Sequence, residues 1–297
     1  MSSNRGTAYD IRRKLQYFAG HVLPPATLSK IYFRIVLNRK LDLKHPESFN
    51  EKIQWYKLNY CPKNRKVILC ADKAKLHKYL EKKGYGRMAV PIIGIWKSSD
   101  EIDYDSLPDQ FVIKCNHGCG YNIVVRDKKK LNWRVAKEQL DSWMKEDFGY
   151  FNAEPHYLKI PKRIVCEEYL GDGTSEFMSD IKIHCFNGEP KLTLVCFERD
   201  SSKAAANYVY YDNDWKRLNY SKTPQREFPK PQSFDDMMEA AKVLSQDFPF
   251  VRVDFYEVNG KPYIGELTFD PDGGLDNTIY TKADYEMGKM LSLEGLV

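Results

Sequence analysis

Asn259-Gly260 sits between two strand-like runs, and that placement leaves few local folds open. Asn and Gly both tolerate the positive φ that a two-residue hairpin turn demands. The run FVRVDFY before the turn and YIGEL after it therefore read as paired antiparallel strands. Period two puts Arg252 and Asp254 on one face, with Val251, Val253 and Phe255 on the other. Glu266 falls on the partner strand, with Thr268 two positions on. Two carboxylates beside a guanidinium suit Mg²⁺ and a transferring phosphoryl group. The same pattern also describes a salt-bridged outer sheet face. A second such pair, Asn187-Gly188, joins the strand Asp180–Phe186 to its return, Lys191–Phe197.

A third hairpin is expected in FVIKCNHGCGYNIVVRDKKK, residues 111–130. Phe111, Val112 and Ile113 are a short buried-strand run, and Lys114 follows them directly. Gly118 and Gly120 mark the turn, and Ile123 to Val125 resume a strand. Glycines let backbone N–H groups approach phosphate oxygens, and a lysine nearby adds a point charge. An ordinary hairpin with a solvated tip fits equally well. His117 within the turn can bind phosphate, assist proton transfer or cap the loop.

Helices occupy the remaining regular stretches. Residues 1–60 read as helical, with a basic amphipathic stretch around Leu28–Leu37 that can lie on a membrane surface or pack on its own domain. The next helix carries Ile53, Trp55 and Tyr56 as packing anchors. Asp72 is expected to cap a lysine-rich helix reaching about Lys83, with Lys73 near its start. Helices are also expected over Trp133–Met144, Phe234–Ser245 and Lys282–Leu291. Ser201 to Lys230 shows little periodicity and reads as a long surface excursion.

Composition narrows the function classes. Charged residues make up 29% and hydrophobic residues 42% of the 297, which is a globular balance. A net charge of +5, with basic blocks interrupted by acidic stretches, leaves no nucleic-acid footprint. The seven cysteines follow no framework spacing, and Cys115 and Cys119 around His117 lack a second ligand pair for zinc. No secretory leader and no run of about twenty apolar residues is visible, so the cytoplasm is the expected compartment.

Taken in order, FNEKIQWYKL, ADKAKL, LPDQFVIKCNHGCGYN, EEYL, SDIKIHCFNGEPK, FVRVDFY and GELTFDPDGG form a set from Phe49 to Gly274. The set resembles the TupA-like branch of the ATP-grasp superfamily, named for teichuronopeptide biosynthesis. The resemblance implies an α+β ATP-grasp fold in which two α+β subdomains clamp ATP, here behind a short helical N-terminal region. The implied divisions are residues 1–65 for that region, 66–165 for the subdomain with the phosphate hairpin, and 166–297 for the one with the metal-binding hairpin. Lys73 and Lys114 take the place of the phosphate lysines, and Gly118, Gly120 and Asn122 that of the closing loop. Glu167, Glu168, Tyr169 and Leu170 stand at the adenine hinge, with Asp172 or Glu176 as the ribose carboxylate. Asp254 and Glu266 match the magnesium carboxylates. Thr268 stands where many members carry Asn. Arg252 matches the arginine that steadies the transferred phosphoryl group, and Lys182, Asp180 and Arg199 lie where the branch keeps polar residues.

The implied cofactors are ATP and Mg²⁺, and the implied activity is an ADP-forming carboxylate–amine ligase. Its expected substrates are a uronate or polysaccharide intermediate and an amine such as an amino acid, in cell-surface polysaccharide biosynthesis. His117 and Lys182 join Arg252 as candidate catalytic groups. A kinase acting on a sugar hydroxyl, or a glycosyltransferase-associated binding protein, is the alternative. Peripheral membrane contact through the basic N-terminus is a further expectation.

Overall fold

The computed structural model describes residues 7–171, 179–200, 205–223 and 226–296. The chain begins with α1 (Thr7–Val22), α2 (Pro25–Leu37) and α3 (Phe49–Asn59), then α4 (Arg65–Ala71) and α5 (Leu76–Lys82). A four-stranded antiparallel sheet follows, built from β1 (Ile92–Trp96), β2 (Phe111–Cys115), β3 (Asn122–Val125) and β4 (Ile164–Glu168) in the order β1-β4-β2-β3. Helix α6 (Trp133–Lys145) lies between β3 and β4. The boundary expected between residues 165 and 166 falls inside β4.

The second sheet has six strands. They are β5 (Asp180–Phe186), β6 (Glu189–Asp200), β7 (Ala205–Tyr211), β8 (Arg217–Leu218), β9 (Phe250–Val258) and β10 (Lys261–Thr268), ordered β10-β9-β5-β6-β7-β8. Helices α7 (Phe234–Ser245) and α8 (Thr281–Met290) complete the chain.

Each sheet has its own core. Phe111, Ile113, Cys115, Val125, Ile164 and Cys166 face one side of the small sheet and pack with Leu140 of α6. Val251, Val253 and Phe255 of β9 pack with Ile181 and Ile183 of β5 beneath α3, α4, α5, α7 and α8. The alternation legible in the sequence thus buries one face of β9 and leaves Arg252 and Asp254 on the other. Both Asn-Gly pairs turn as expected, with φ of 50° and 82° at Asn187-Gly188 and 51° and 69° at Asn259-Gly260.

Two expectations are corrected. Residues 201–230 are not a bare excursion: β7 and β8 within them extend the large sheet. Val209 and Tyr211 of β7 enter one cluster and Tyr210 another, so both faces are buried and no polar alternation marks the strand. Nor does a helix start at Asp72, which instead ends α4. Its Oδ1 accepts Ala74 N at 3.0 Å and Asn116 Nδ2 at 2.6 Å. That Asx turn holds residues 72–75 out of the helix and leaves Lys73 in the connection before α5.

Candidate active site

The face of the large sheet opposite its core is ionic. Lys182 on β5 stands in register with Asp254 on β9, which in turn opposes Glu266 on β10. Arg252 donates from Nε to Asp254 Oδ1 and from Nη2 to Oδ2, both at 2.7 Å. Lys182 Nζ reaches Asp254 Oδ2 at 2.5 Å and lies 3.4 Å from Asp180 Oδ2. Thr268 opposes Arg252, receives its Nη2 at 3.3 Å, and donates to Glu266 Oε1 at 3.1 Å. Burial alone raises the Asp254 pKa, but Arg252 and Lys182 outweigh it and hold the carboxyl below its ordinary value. Burial acts to lower the Arg252 pKa, and Asp254 more than reverses that, so the guanidinium stays charged.

Glu266 reaches this face only because β10 carries a bulge. Counting back from the Asn259-Gly260 turn, where Lys261 pairs Val258, would set Gly265 against Asp254. The register instead shifts between Ile264 and Glu266, so Ile264 still opposes Phe255 while Glu266 opposes Asp254. Ile264 and Leu267 both enter the core, and Glu266 and Thr268 both stay out of it. Glycine suits the bulge, because a Cβ on Gly265 would lie 2.7 Å from the Tyr256 ring and force one of them to shift.

A divalent cation fits this donor set. Asp254 already accepts three charge-assisted bonds and retains about one free lone-pair direction. The Glu266 side chain is 37% exposed, against 6% for Asp254, and so is the accessible ligand. Few protein oxygens with the remaining positions left to water and phosphate is how Mg²⁺ is commonly held. Asp254, Glu266 and Thr268 Oγ1 would hold it.

The small sheet carries a second ion pair. On its face away from the core, Lys114 Nζ lies 2.5 Å from Glu167 Oε2. Val112, Val124 and Ile95 share that face through the pairings Val112 with Val124 and Glu167, and Val165 with Ile95 and Lys114, and they form an apolar wall. Lys73 joins the two sheets: its Nζ donates to the Gly118 carbonyl at 2.9 Å and lies 3.8 Å from Glu266 Oε2. Gly118 is packed so closely that a Cβ would lie 2.7 Å from the Phe148 ring, and Gly120 has φ +74°. Asn122 opposes Lys114 as the first residue of β3. At the hinge, Glu168 N donates to Pro91 O at 2.9 Å, and Tyr169 Oη accepts Arg126 Nε at 3.1 Å. Glu168 and Tyr169 line a pocket with Ile93, Gln110 and Arg126, and Leu170 follows half-buried. Asp172 and Glu176 lie outside the described residues, as does the Arg199 side chain.

His117 makes its polar contacts at the end of α6. Its buried ring places Nε2 3.2 Å from both the Trp143 and Glu146 carbonyls at the end of α6, which is the loop-capping arrangement. Burial and the Lys162 charge lower its pKa.

One part of the site went unread in the sequence. Asn50, Gln54 and Lys57 of α3, at i, i+4 and i+7, are buried and grip the loop after β10. Asn50 exchanges bonds with Asp276 (Nδ2 to O at 3.1 Å, N to Oδ1 at 2.8 Å), and Gln54 Nε2 donates to the Gly273 and Gly274 carbonyls at 2.9 and 3.0 Å. Lys57 Nζ donates to Gly273 O at 2.7 Å and Asn152 O at 2.8 Å. The loop needs that grip: Asp272, Gly273 and Gly274 all have left-handed φ, at 51°, 62° and 71°. Lys57 sits with two buried carboxyl groups, Glu154 and Asp270, whose pKa values burial raises. A polar residue beside Ile53 and Tyr56 at helical spacing was the available signal, since it shares their buried side.

The sequence model of a family described as TupA-like ATPgrasp matches residues 51–292. Among solved structures, the D-alanine–D-alanine ligase from Bacillus anthracis complexed with ATP is 15% identical, with a TM-score of 0.44, over 74% of this chain and 60% of that one. The L-amino acid ligase from Bacillus licheniformis is 15% identical, with a TM-score of 0.45, over 70% and 44%. The D-alanine–D-alanine ligase from Helicobacter pylori is 12% identical, with a TM-score of 0.44, over 82% and 67%. The chain thus spans less than two thirds of the length of the first two ligases. No curated protein matches it.

Proposed function

The chain belongs to the TupA-like ATP-grasp family, and from that premise we propose that it is an ATP-dependent ligase that joins a carboxylate to an amine through an acylphosphate. The observation that carries the reading is the ion network of Arg252, Asp254, Lys182 and Glu266, tied through Lys73 to the glycine turn of the small sheet, whose strand β2 carries Lys114. Such a cleft suits a triphosphate: cations from both sides meet its charge, and the apolar wall of Ile95, Val112 and Val124 offers a flat base a dry surface. The two subdomains, one built on the four-stranded sheet and one on the six-stranded sheet, would clamp the nucleotide.

In the first step a carboxylate oxygen attacks the γ-phosphorus; the new O–P bond forms as the bond to the β-phosphate oxygen breaks and ADP leaves. In the second step the amine nitrogen attacks the acyl carbon, the C–O bond to phosphate breaks, and the proton lost from nitrogen ends on the departing phosphate. Mg²⁺, when bound, neutralises phosphate charge. Arg252 and Lys182 are held in place by Asp254, so they meet the developing charge without reorganising. Lys114 and Lys73 orient the phosphates. The backbone at residues 167–170 would read adenine.

The carboxylate is proposed to be a uronate or a polysaccharide intermediate, the amine an amino acid, and the setting cell-surface polysaccharide biosynthesis in the cytoplasm. This finer reading rests on the resemblance to teichuronopeptide proteins. A screen of nucleotide products across uronates and amino acids tests it. ADP, phosphate and an amide are expected. AMP and pyrophosphate would overturn the ligase reading, and a phosphorylated sugar without free phosphate would replace it with a kinase.

A further inference from the structure

We propose that α1 and α2 form a docking face for a membrane surface rich in anionic lipid. Ile11, Leu15, Phe18 and Val22 recur at spacings of four, three and four, so they form one stripe along α1. They are 55%, 63%, 68% and 62% exposed. Ile31, Ile35 and Val36 on α2 are exposed as well, so seven of the fourteen exposed large apolar side chains among the described residues fall between residues 11 and 36. Scattered surface apolar residues are ordinary; a concentration on two consecutive helices marks an interaction face.

The stripe is not the loose side of an unattached helix. The other side of α1 is fixed to the body. Arg13 Nη2 donates to Tyr121 Oη at 2.7 Å and to Glu146 Oε2 at 2.5 Å, and its guanidinium lies 3.8 Å from the Phe151 ring centre. Tyr17 and His21 pack against Tyr150 and Phe151. The helix therefore already has an inward face, and the apolar stripe is a second one. Through Tyr121 it stands one hydrogen bond from the glycine turn.

Charge selects the occupant. Residues 11–40 hold seven of the 46 Lys and Arg and no Asp or Glu, which leaves the rest of the chain slightly acidic at 39 against 41. Arg13 and Arg39 pair inward, with Glu146 and Asp284. Lys14, Lys30, Arg34 and Lys40 are exposed around the apolar residues. A second copy seated on this face would bring two such basic sets together, and like charges oppose that. An anionic headgroup layer over an acyl boundary complements both the lysines and the stripe. No helix among the described residues is long and apolar enough to cross a membrane, so the contact proposed is peripheral.

Sedimentation of the full chain with vesicles tests this. Phosphatidylcholine vesicles with about 30% phosphatidylglycerol should retain the protein at low salt, and pure phosphatidylcholine should retain about tenfold less. The pair Leu15→Glu and Phe18→Glu, both on exposed positions, should lower binding about tenfold without moving the melting temperature. Lys14→Glu with Lys30→Glu should weaken binding and flatten its salt dependence. Failure to bind anionic vesicles, or unchanged binding by the stripe variant, overturns the proposal. So does a dimer in light scattering that Leu15→Glu dissolves, which would assign the face to a second copy. None of these readouts depends on ligase activity.

Discussion

Lys114 Nζ lies 2.5 Å from Glu167 Oε2, a pairing set by the register of β2 against β4. Both groups are largely buried, so each is the other's counterion until an anion arrives. A phosphate approaching Lys114 competes with that glutamate. Lys114→Met should therefore weaken ATP binding by about tenfold or more, because it removes the charge and leaves Glu167 to repel the nucleotide. Calorimetric titration with ATP checks this; unchanged affinity would remove Lys114 from the site.

Asp254 and Glu266 should separate when each is neutralised. Asp254→Asn leaves Arg252 and Lys182 buried beside a neutral amide, and a cost of about 3–5 kcal/mol is expected along with lost activity. Glu266→Gln acts on a partly exposed side chain and should cost under about 1 kcal/mol. It should nonetheless raise the Mg²⁺ concentration needed for half-maximal ADP release by about tenfold. Urea unfolding set beside a Mg²⁺ titration reads both. Equal destabilisation by the two variants would contradict the network as drawn.

The β10 bulge offers a test of placement. Gly265→Ala sets a Cβ against the Tyr256 ring and should destabilise by about 1–3 kcal/mol. It should also lower kcat, because Glu266 and Thr268 lose their register with Asp254 and Arg252. Shortening the obstructing ring, as Tyr256→Ala in the Gly265→Ala background, should recover part of kcat. No recovery would mean that glycine is needed there for some reason other than the ring.

The buried cluster near Lys57 predicts opposed pH slopes. Burial drives the His156 pKa down to about 3, so unfolded protein takes up a proton near pH 6.5 that the folded state refuses. Stability from this group is complete above about pH 6.5 and falls as pH drops toward 3. Asp270 and Glu154 have raised pKa values, chiefly from burial, and act in the other direction, gaining stability as pH falls. His156→Phe should remove the first slope and leave the second. Chemical unfolding at about pH 7 and pH 4.5 should show the variant losing less stability on acidification than the parent.

Much of the architecture was legible because its causes are local. Asn187-Gly188 and Asn259-Gly260 allow the turn wherever they occur, and the alternation through Phe250–Tyr256 assigns Arg252 and Asp254 to one face without knowledge of any neighbour. β7 was not legible, since Tyr210 and Tyr211 are buried on opposite faces and nothing along the strand is polar by turns. Asn50, Gln54 and Lys57 share the buried side of α3 with Ile53 and Tyr56, but their partner, a left-handed loop about 220 residues further on that needs donors, is set by tertiary contact.

By itself the sequence determined the hairpins, the faces of β9, and the place of Lys114 on the strand before the glycine turn. These follow from backbone preferences and a two-residue period, which act within a few residues. Only the tertiary structure decided which carboxylates meet. The turn alone would pair Asp254 with Gly265. Core packing of both Ile264 and Leu267, with a glycine between them that can crowd Tyr256, inserts one residue and brings Glu266 to Asp254.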